Sequence, residues 1–371
     1  MIWELTRACD LCCRHCRADA RPDRHPRELT TREGFALLEQ IRELAPPVFV
    51  VTGGDPLKRP DLFALLERAT AIGLPVAVTP SGTPLLTRDV LARMRDLGVG
   101  RIAMSLDGPS AAVHDGFRQQ QGSFAATISG IRHARALGLA VQINTTVTRH
   151  DLALLDELAT IVGDLDAAMW SLFFLVNVGR AQGLEQLTAL EFEQVFAFLH
   201  DLSERAPYAV RTTAAPHYRR YVLQQQTRAR RARRESAAGG PASPPPAGRP
   251  WLAGLAGPRA TRGVTDGSGI CFVSHTGIVY PSGFLPIPAG DVRTTPLRRI
   301  YREAPLFRQL RNRNRLEGKC GVCEFRVICG GSRARAYART GNPMAEEPCC
   351  AYEPRRAGRR RTRGAEGPRR P

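Results

Sequence analysis

Cys9, Cys13 and Cys16 lie in the octapeptide Cys9-Asp10-Leu11-Cys12-Cys13-Arg14-His15-Cys16 at spacing C-x3-C-x2-C. Three thiolates on one short loop hold three corners of an iron–sulfur cube and leave the fourth iron open to a small molecule. Clusters of ferredoxin type take four cysteines and only transfer electrons. The same residues allow other readings. Three thiolates and the imidazole of His15 match a zinc knuckle. Cys12 offers shifted registers, C-x2-C with Cys9 and C-x3-C with Cys16, but only the Cys9/Cys13/Cys16 choice gives the full pattern. A second set stands far downstream: Cys320, Cys323 and Cys329 at C-x2-C-x5-C, then Cys349-Cys350. Such C-x2-C pairs serve a four-cysteine structural zinc site equally well.

The elements that must position these residues alternate. Residues 2–6 read as a buried strand that ends at the first cysteine loop. A helical pattern follows over 31–44, with Thr31 as N-cap and Glu33 in the first turn. Residues 48–52 form an almost wholly apolar strand, as in a sheet covered on both faces. Helices over 61–72, 87–97, 123–137 and 152–162 then alternate with strands over 76–79, 102–106, 140–147 and 168–176. A further helix covers 191–203 and a strand 209–213. Strand–helix alternation of this length implies parallel βαβ units with right-handed crossovers. Composition does not choose between a doubly wound sheet and a barrel. Either fold puts its chemistry at the carboxyl ends of the strands, where Gly53-Gly54-Asp55-Pro56, Ser105-Leu106-Asp107-Gly108 and the residues after them fall.

The 371 residues suit one large α/β domain with a smaller one. No apolar run approaches the roughly 20 residues of a membrane span, and the opening residues lack the pattern of a signal peptide. Ten cysteines clustered at ligand spacings then point to metal sites in a reducing cytoplasm rather than disulfides. The net charge of +18 is nearly all arginine, with Lys58 and Lys319 the only lysines. Much of it sits in 228–234 and 355–370 without aromatic interleaving or a nucleic-acid fold motif, so no specific nucleic-acid partner is expected. Residues 224–262 are rich in Arg, Ala, Gly and Pro, a composition that buries too little apolar surface to order itself.

The cysteine loop, with Gly53-Gly54-Asp55-Pro56 after the second strand, resembles the radical S-adenosylmethionine (SAM) superfamily. The downstream cysteines resemble its C-terminal SPASM extension. The resemblance implies a partial (β/α)6 barrel, open on one side, with a small cysteine-rich auxiliary-cluster domain. It divides the chain into a core (1–215), a flexible insertion (216–262), the SPASM-like domain (263–353) and a basic tail (354–371). It implies that Cys9, Cys13 and Cys16 bind a [4Fe-4S] cluster, with SAM chelating the open iron. Gly53, Gly54, Asp55 and Pro56 would receive the SAM amino group, with Asp55 in place of the family's Glu. Ser105, Asp107, Arg118 and Asn144 would lie against its carboxylate and ribose, Arg118 giving a bidentate grip.

Two departures concern the extension. A full SPASM module has cysteines near Ser282 and at Arg333. Both are missing, so the first auxiliary cluster is expected to be absent, with Cys271 as its remnant. The second stays complete through Cys320, Cys323, Cys329 and either Cys349 or Cys350, closed and suited to electron transfer. Along 278–286 and 330–337 the sequence looks closest to tetrapyrrole-maturing enzymes of the superfamily. There a 5′-deoxyadenosyl radical takes hydrogen from a propionate side chain and a reductant such as flavodoxin or ferredoxin supplies electrons. Arg333 and Arg335 would suit the propionates. A maturase of ribosomal peptides is the alternative substrate class, and a non-catalytic zinc-binding protein the alternative of another kind.

Overall fold

A computed structural model describes residues 1–237 and 263–355. The parallel strands are β1 (Ile2–Glu4), β2 (Phe49–Thr52), β3 (Val76–Val78), β4 (Arg101–Ser105), β5 (Ala140–Val147), β6 (Met169–Phe174) and β7 (Ala209–Thr213). Between them run α1 (Thr31–Glu43), α2 (Leu62–Ala71), α3 (Arg88–Asp96), α4 (Ala111–Arg118), α5 (Ser123–Ala136), α6 (Leu155–Asp164) and α7 (Ala189–Arg205). The strands lie side by side in chain order from β1 to β7. That monotonic order is the winding of a barrel, whereas a doubly wound sheet reverses direction. The barrel does not close. The outer edge of β1 is taken by β8 (Phe272–Val273), which pairs in parallel with it, and β9 (Ile278–Tyr280) and β10 (Gly290–Asp291) continue antiparallel. The result is a ten-stranded sheet among the described residues, ordered β10-β9-β8-β1-β2-β3-β4-β5-β6-β7.

The C-terminal part adds α9 (Leu297–Glu303), α10 (Pro305–Arg311), α11 (Gly318–Val322) and α12 (Arg333–Thr340). Its Val273, Val279, Leu297, Ile300 and Phe307 pack into the same apolar core as Trp3, Leu37, Phe49 and Trp170. This second module is therefore an extension of the first sheet and its core.

Three local outcomes differ from the sequence reading. The N-cap of α1 is Thr30, one residue earlier than expected, because its hydroxyl accepts from Glu33 N while Glu33 reaches back to Thr30 N. The eight-residue α4 was not anticipated. It is short, contains Gly116, and ends at Gln119 in the left-handed region (φ 54°). A further helix, α8 (Tyr218–Ala237), occupies the start of the stretch expected to lack structure. Its Arg, Gln and Ala residues are strong helix formers, and its first turns pack on α7. Residues 238–262 and 356–371 lie outside the described residues.

Candidate active site and cluster-binding residues

The chain leaves β1 into the cysteine loop, which neighbouring elements clamp through its backbone. Gly54 N donates to Thr6 O and Asp55 N to Ala8 O, both at 2.7 Å. A Cβ on Gly54 would stand 2.5 Å from Ala8 O and 2.7 Å from Arg7 O. What approaches the Gly-Gly pair so closely is thus the loop itself. From the opposite side comes the turn after β6. Arg180 N donates to Cys16 O at 3.0 Å, and its guanidinium to Cys13 O at 3.0 Å and Ala20 O at 2.9 Å. Gly179 (φ +58°) makes that approach possible, since a Cβ there would lie 2.5 Å from Cys16 O.

Cys9, Cys13 and Cys16 all line one cavity of about 470 Å³ at the carboxyl ends of the strands. Each sulfur accepts one N–H: Cys9 from Leu11 N (3.4 Å), Cys13 from Arg118 Nη1 (3.7 Å) and Cys16 from Ala20 N (3.5 Å). Burial pushes the Cys9 thiol up to about 11 and also raises Cys13, so proton release accompanies ligation. Cys12 is exposed and does not border the cavity. The imidazole that would complete a zinc knuckle borders the same cavity. His15 stacks on Phe117 at 4.5 Å, with Nε2 3.8 Å from Asp107. Burial lowers it to about 4.

Of the residues expected against SAM, Gly53, Gly54, Ser105, Arg118 and Asn144 border this cavity, whereas Asp55, Pro56 and Asp107 do not. Strand register sets Ser105 beside Asn144. The Asp55 carboxylate is fully buried and accepts from Leu57 N (3.1 Å), Thr83 Oγ1 (3.0 Å) and Ser81 N (3.4 Å). It caps the turn Pro56–Lys58. The expected bidentate grip of Arg118 is already spent, on Asp107 through Nη2 and on Cys13 through Nη1. Asp107 also accepts from Thr146 N at 2.7 Å. Burial works against its charge, but Arg118 and His15 outweigh that and hold the carboxyl below its ordinary value. Neither Ser105 nor Asp107 is a helix cap. Sequence reasoning missed Ser81, which borders the cavity and donates to Gly54 O at 3.2 Å. It also missed the aromatic wall of Phe173, Phe272 and Phe284. Phe173 and Phe272 are apolar positions that carry no motif, and Phe284 lies within the 278–286 stretch.

The C-terminal cysteines border a separate space of about 20 Å³, lined by Cys320, Cys323, Cys329 and Cys350 but not Cys349. Here too each sulfur accepts an N–H. Glu347 N serves Cys320 (3.3 Å), Phe325 N serves Cys323 (3.4 Å) and Gly331 N serves Cys329 (3.4 Å), while burial pushes the Cys350 thiol up to about 11 against the opposing effect of Tyr352 N. Cys349 does the reverse, donating to Leu187 O (3.7 Å) and Gln186 Oε1 (3.8 Å) from within the apolar core.

Arg333 and Arg335 do not face the main cavity, contrary to expectation, because both are fully buried structural ties. Arg333 donates to Ala345 O (2.6 Å) and Pro343 O (3.0 Å). Arg335 pairs with Glu347 at 3.1 Å and donates to Leu175 O at 3.2 Å. Where the two missing cysteines would stand, Ser282 donates to Asp266, and Asp266 accepts from the backbone of Arg333 at 3.0 Å. A carboxylate bridge holds that corner together. Cys271 is buried in the main core, its thiol pushed up to about 12 by burial.

The profile of the radical SAM superfamily matches residues 3–153. The AdoMet-dependent heme synthase of Oleidesulfovibrio alaskensis is 41% identical over 359 residues, covering 96% of this chain and 88% of that protein. The protein of the same name from Methanosarcina barkeri is 36% identical over 354 residues, covering 95% and 96%. Among solved structures, Streptococcus suis SuiB bound to S-adenosylmethionine superposes with a TM-score of 0.69 at 14% identity, over 95% of this chain and 76% of that one. The last is a likeness of fold. With the three-cysteine loop at the mouth of an open barrel and these relatives along nearly its full length, the chain belongs to the radical SAM superfamily and is an enzyme of it.

Proposed function

We propose that the enzyme initiates hydrogen abstraction from a propionate-bearing tetrapyrrole, using two [4Fe-4S] clusters. Cys9, Cys13 and Cys16 hold the first, and Cys320, Cys323, Cys329 and Cys350 the second. The observation that carries this reading is the shared cavity. The three sulfurs of the N-terminal loop, the ends of the parallel strands and the aromatic wall of Phe173, Phe272 and Phe284 border one space.

The donor sets fit the clusters. Soft thiolates suit iron–sulfur sites, and N–H donors to sulfur are the outer contacts that tune them. Bound SAM and the reduced first cluster supply a 5′-deoxyadenosyl radical. Around them Gly53, Gly54, Ser105 and Asn144 form the wall that orients SAM, while Asp55 stiffens the turn carrying the glycines. Arg118 and Asp107 neutralise each other beside Cys13 and leave no stray charge at the cluster. The aromatic wall offers faces for a flat macrocycle, and the relatives' printed names support a tetrapyrrole substrate. Cys320, Cys323, Cys329 and Cys350 would close the second cluster with four thiolates, which would suit it to take up an electron, and a flavodoxin- or ferredoxin-type reductant would serve the first. Among the described residues no helix is long and apolar enough to cross a membrane.

The test is anaerobic incubation with SAM, reductant and iron coproporphyrin III, followed by mass spectrometry. Loss of propionate carboxyl groups is expected. SAM cleavage with every carboxyl retained would remove the tetrapyrrole and leave the radical chemistry.

A further inference from the structure

Three arginines line the main cavity, and two of them are matched by carboxylates. Arg17 pairs with Glu4 at 3.2 Å and Arg118 with Asp107. Arg219, in the first turn of α8, meets no Asp or Glu side chain among the described residues. Its Nη2 donates to Val264 O at 2.7 Å and its Nη1 to Ile328 O at 3.2 Å. Those two carbonyls fix the plane of the guanidinium without neutralising it, and three of its five N–H donors remain. Asp266 borders the same cavity, but its oxygens accept from Ser282 Oγ, Arg333 N (3.0 Å) and Ala334 N (3.1 Å). A half-buried, oriented and unmatched cation at the wall of a cavity is costly unless an anion arrives.

We infer that Arg219 is the residue that binds a substrate carboxylate and selects for anionic substrates in this cavity. The inference rests on the cavity being the tetrapyrrole site and adds which side chain reads the propionates. Arg219 holds the carbonyl of Ile328, next to Cys329, so the carboxylate it binds lies beside the loop of the second cluster. Arg333 and Arg335, the arginines that the sequence offered for this task, have no access to the cavity.

The experiment is anaerobic calorimetric titration of the reconstituted full chain with iron coproporphyrin III and with its tetramethyl ester. Arg219→Gln keeps an N–H₂ donor for the backbone carbonyls and removes the charge. It should weaken binding of the free acid about tenfold or more, leave the ester within about twofold, and leave the cluster absorbance unchanged. Arg219→Lys should recover part of the loss, and Arg211→Gln, on the exposed face of β7, should change nothing. An equal loss for acid and ester would make Arg219 a structural tie and overturn the inference, as would no loss at all. Wild-type protein that binds the ester as tightly as the acid would refute Arg219 while keeping the substrate reading. Binding of neither would refute the substrate reading, and the inference with it.

Discussion

Around Cys9, Cys13 and Cys16 the protein leaves a cavity of about 470 Å³, whereas the space bordered by Cys320, Cys323, Cys329 and Cys350 amounts to about 20 Å³. The sulfurs themselves are treated alike. In both places each accepts an N–H, and Cys9, Cys323 and Cys329 take it from the residue two positions on. The difference lies in what replaces a fourth sulfur. At the first site that position opens on strand ends and aromatic side chains; at the second, Cys350 fills it. On the proposed assignment, ligand number and surrounding volume vary together, the roomier site taking a bound molecule and the tighter one serving electron transfer.

The comparison breaks most sharply at Cys13. Cys13→Ala should abolish SAM cleavage and roughly halve the iron, from about eight to about four per chain, while the absorbance of the second cluster persists. Persistent cleavage would refute the assignment of the open site. At the closed site the adjacent pair separates the alternatives. Cys350→Ala should lose the second cluster, and Cys349→Ala should keep it at a cost of about 1 kcal/mol in stability, read by iron content and thermal melting. The reverse pattern would exchange their roles.

Glu4 tests how the two regions are joined. This fully buried carboxylate receives Arg17 of the cysteine loop at 3.2 Å and His275 of the C-terminal module at 3.0 Å. Burial alone would raise its pKa, but Arg17, His275 and Arg7 outweigh that and hold it at about 2. Glu4→Gln should cost about 3–5 kcal/mol at neutral pH, the usual penalty for removing one partner of a buried ion pair. Because the folded value lies below the unfolded one, the stabilisation is full above the ordinary carboxylate range and lost as pH falls toward 2. The gap in melting temperature between variant and wild type should therefore shrink on acidification from about pH 4.5. A constant gap would mean that Glu4 acts by shape. A steric effect is expected at Gly54→Ala, where the new methyl meets backbone rather than ligand. A loss of about 1–3 kcal/mol is expected, and unchanged stability with impaired SAM binding would return the glycine to the ligand.

Much of this was legible in the sequence because it is carried by spacing or period. The cysteine spacing marked the loop, and the strand–helix alternation marked the parallel sheet with nearly the observed boundaries. Direction within a site was not legible. Cys349 and Cys350 are neighbours in sequence and differ only in which way each side chain points. Asp55 has the right charge beside a glycine pair, yet burial among three donors turns it inward. Arg333 and Arg335 suit propionates by charge, yet carbonyl and carboxylate partners within the protein occupy them. Arg219 carries no motif, and α8, on which it sits, was hidden by a composition that reads as unstructured.

The pairing of β1 with β8 has a consequence in time. Ile2 is made before its partner Phe272, which follows 270 positions later. At about 5–20 residues per second, a ribosome separates the two by tens of seconds. During that interval the strand that leads into the first cysteine loop has one free edge, and Glu4 still lacks His275. The cysteine loop would therefore acquire its final rigidity only after Phe272 and His275 have emerged. Delivery of iron and sulfide to it is best suited to a finished polypeptide rather than a nascent one.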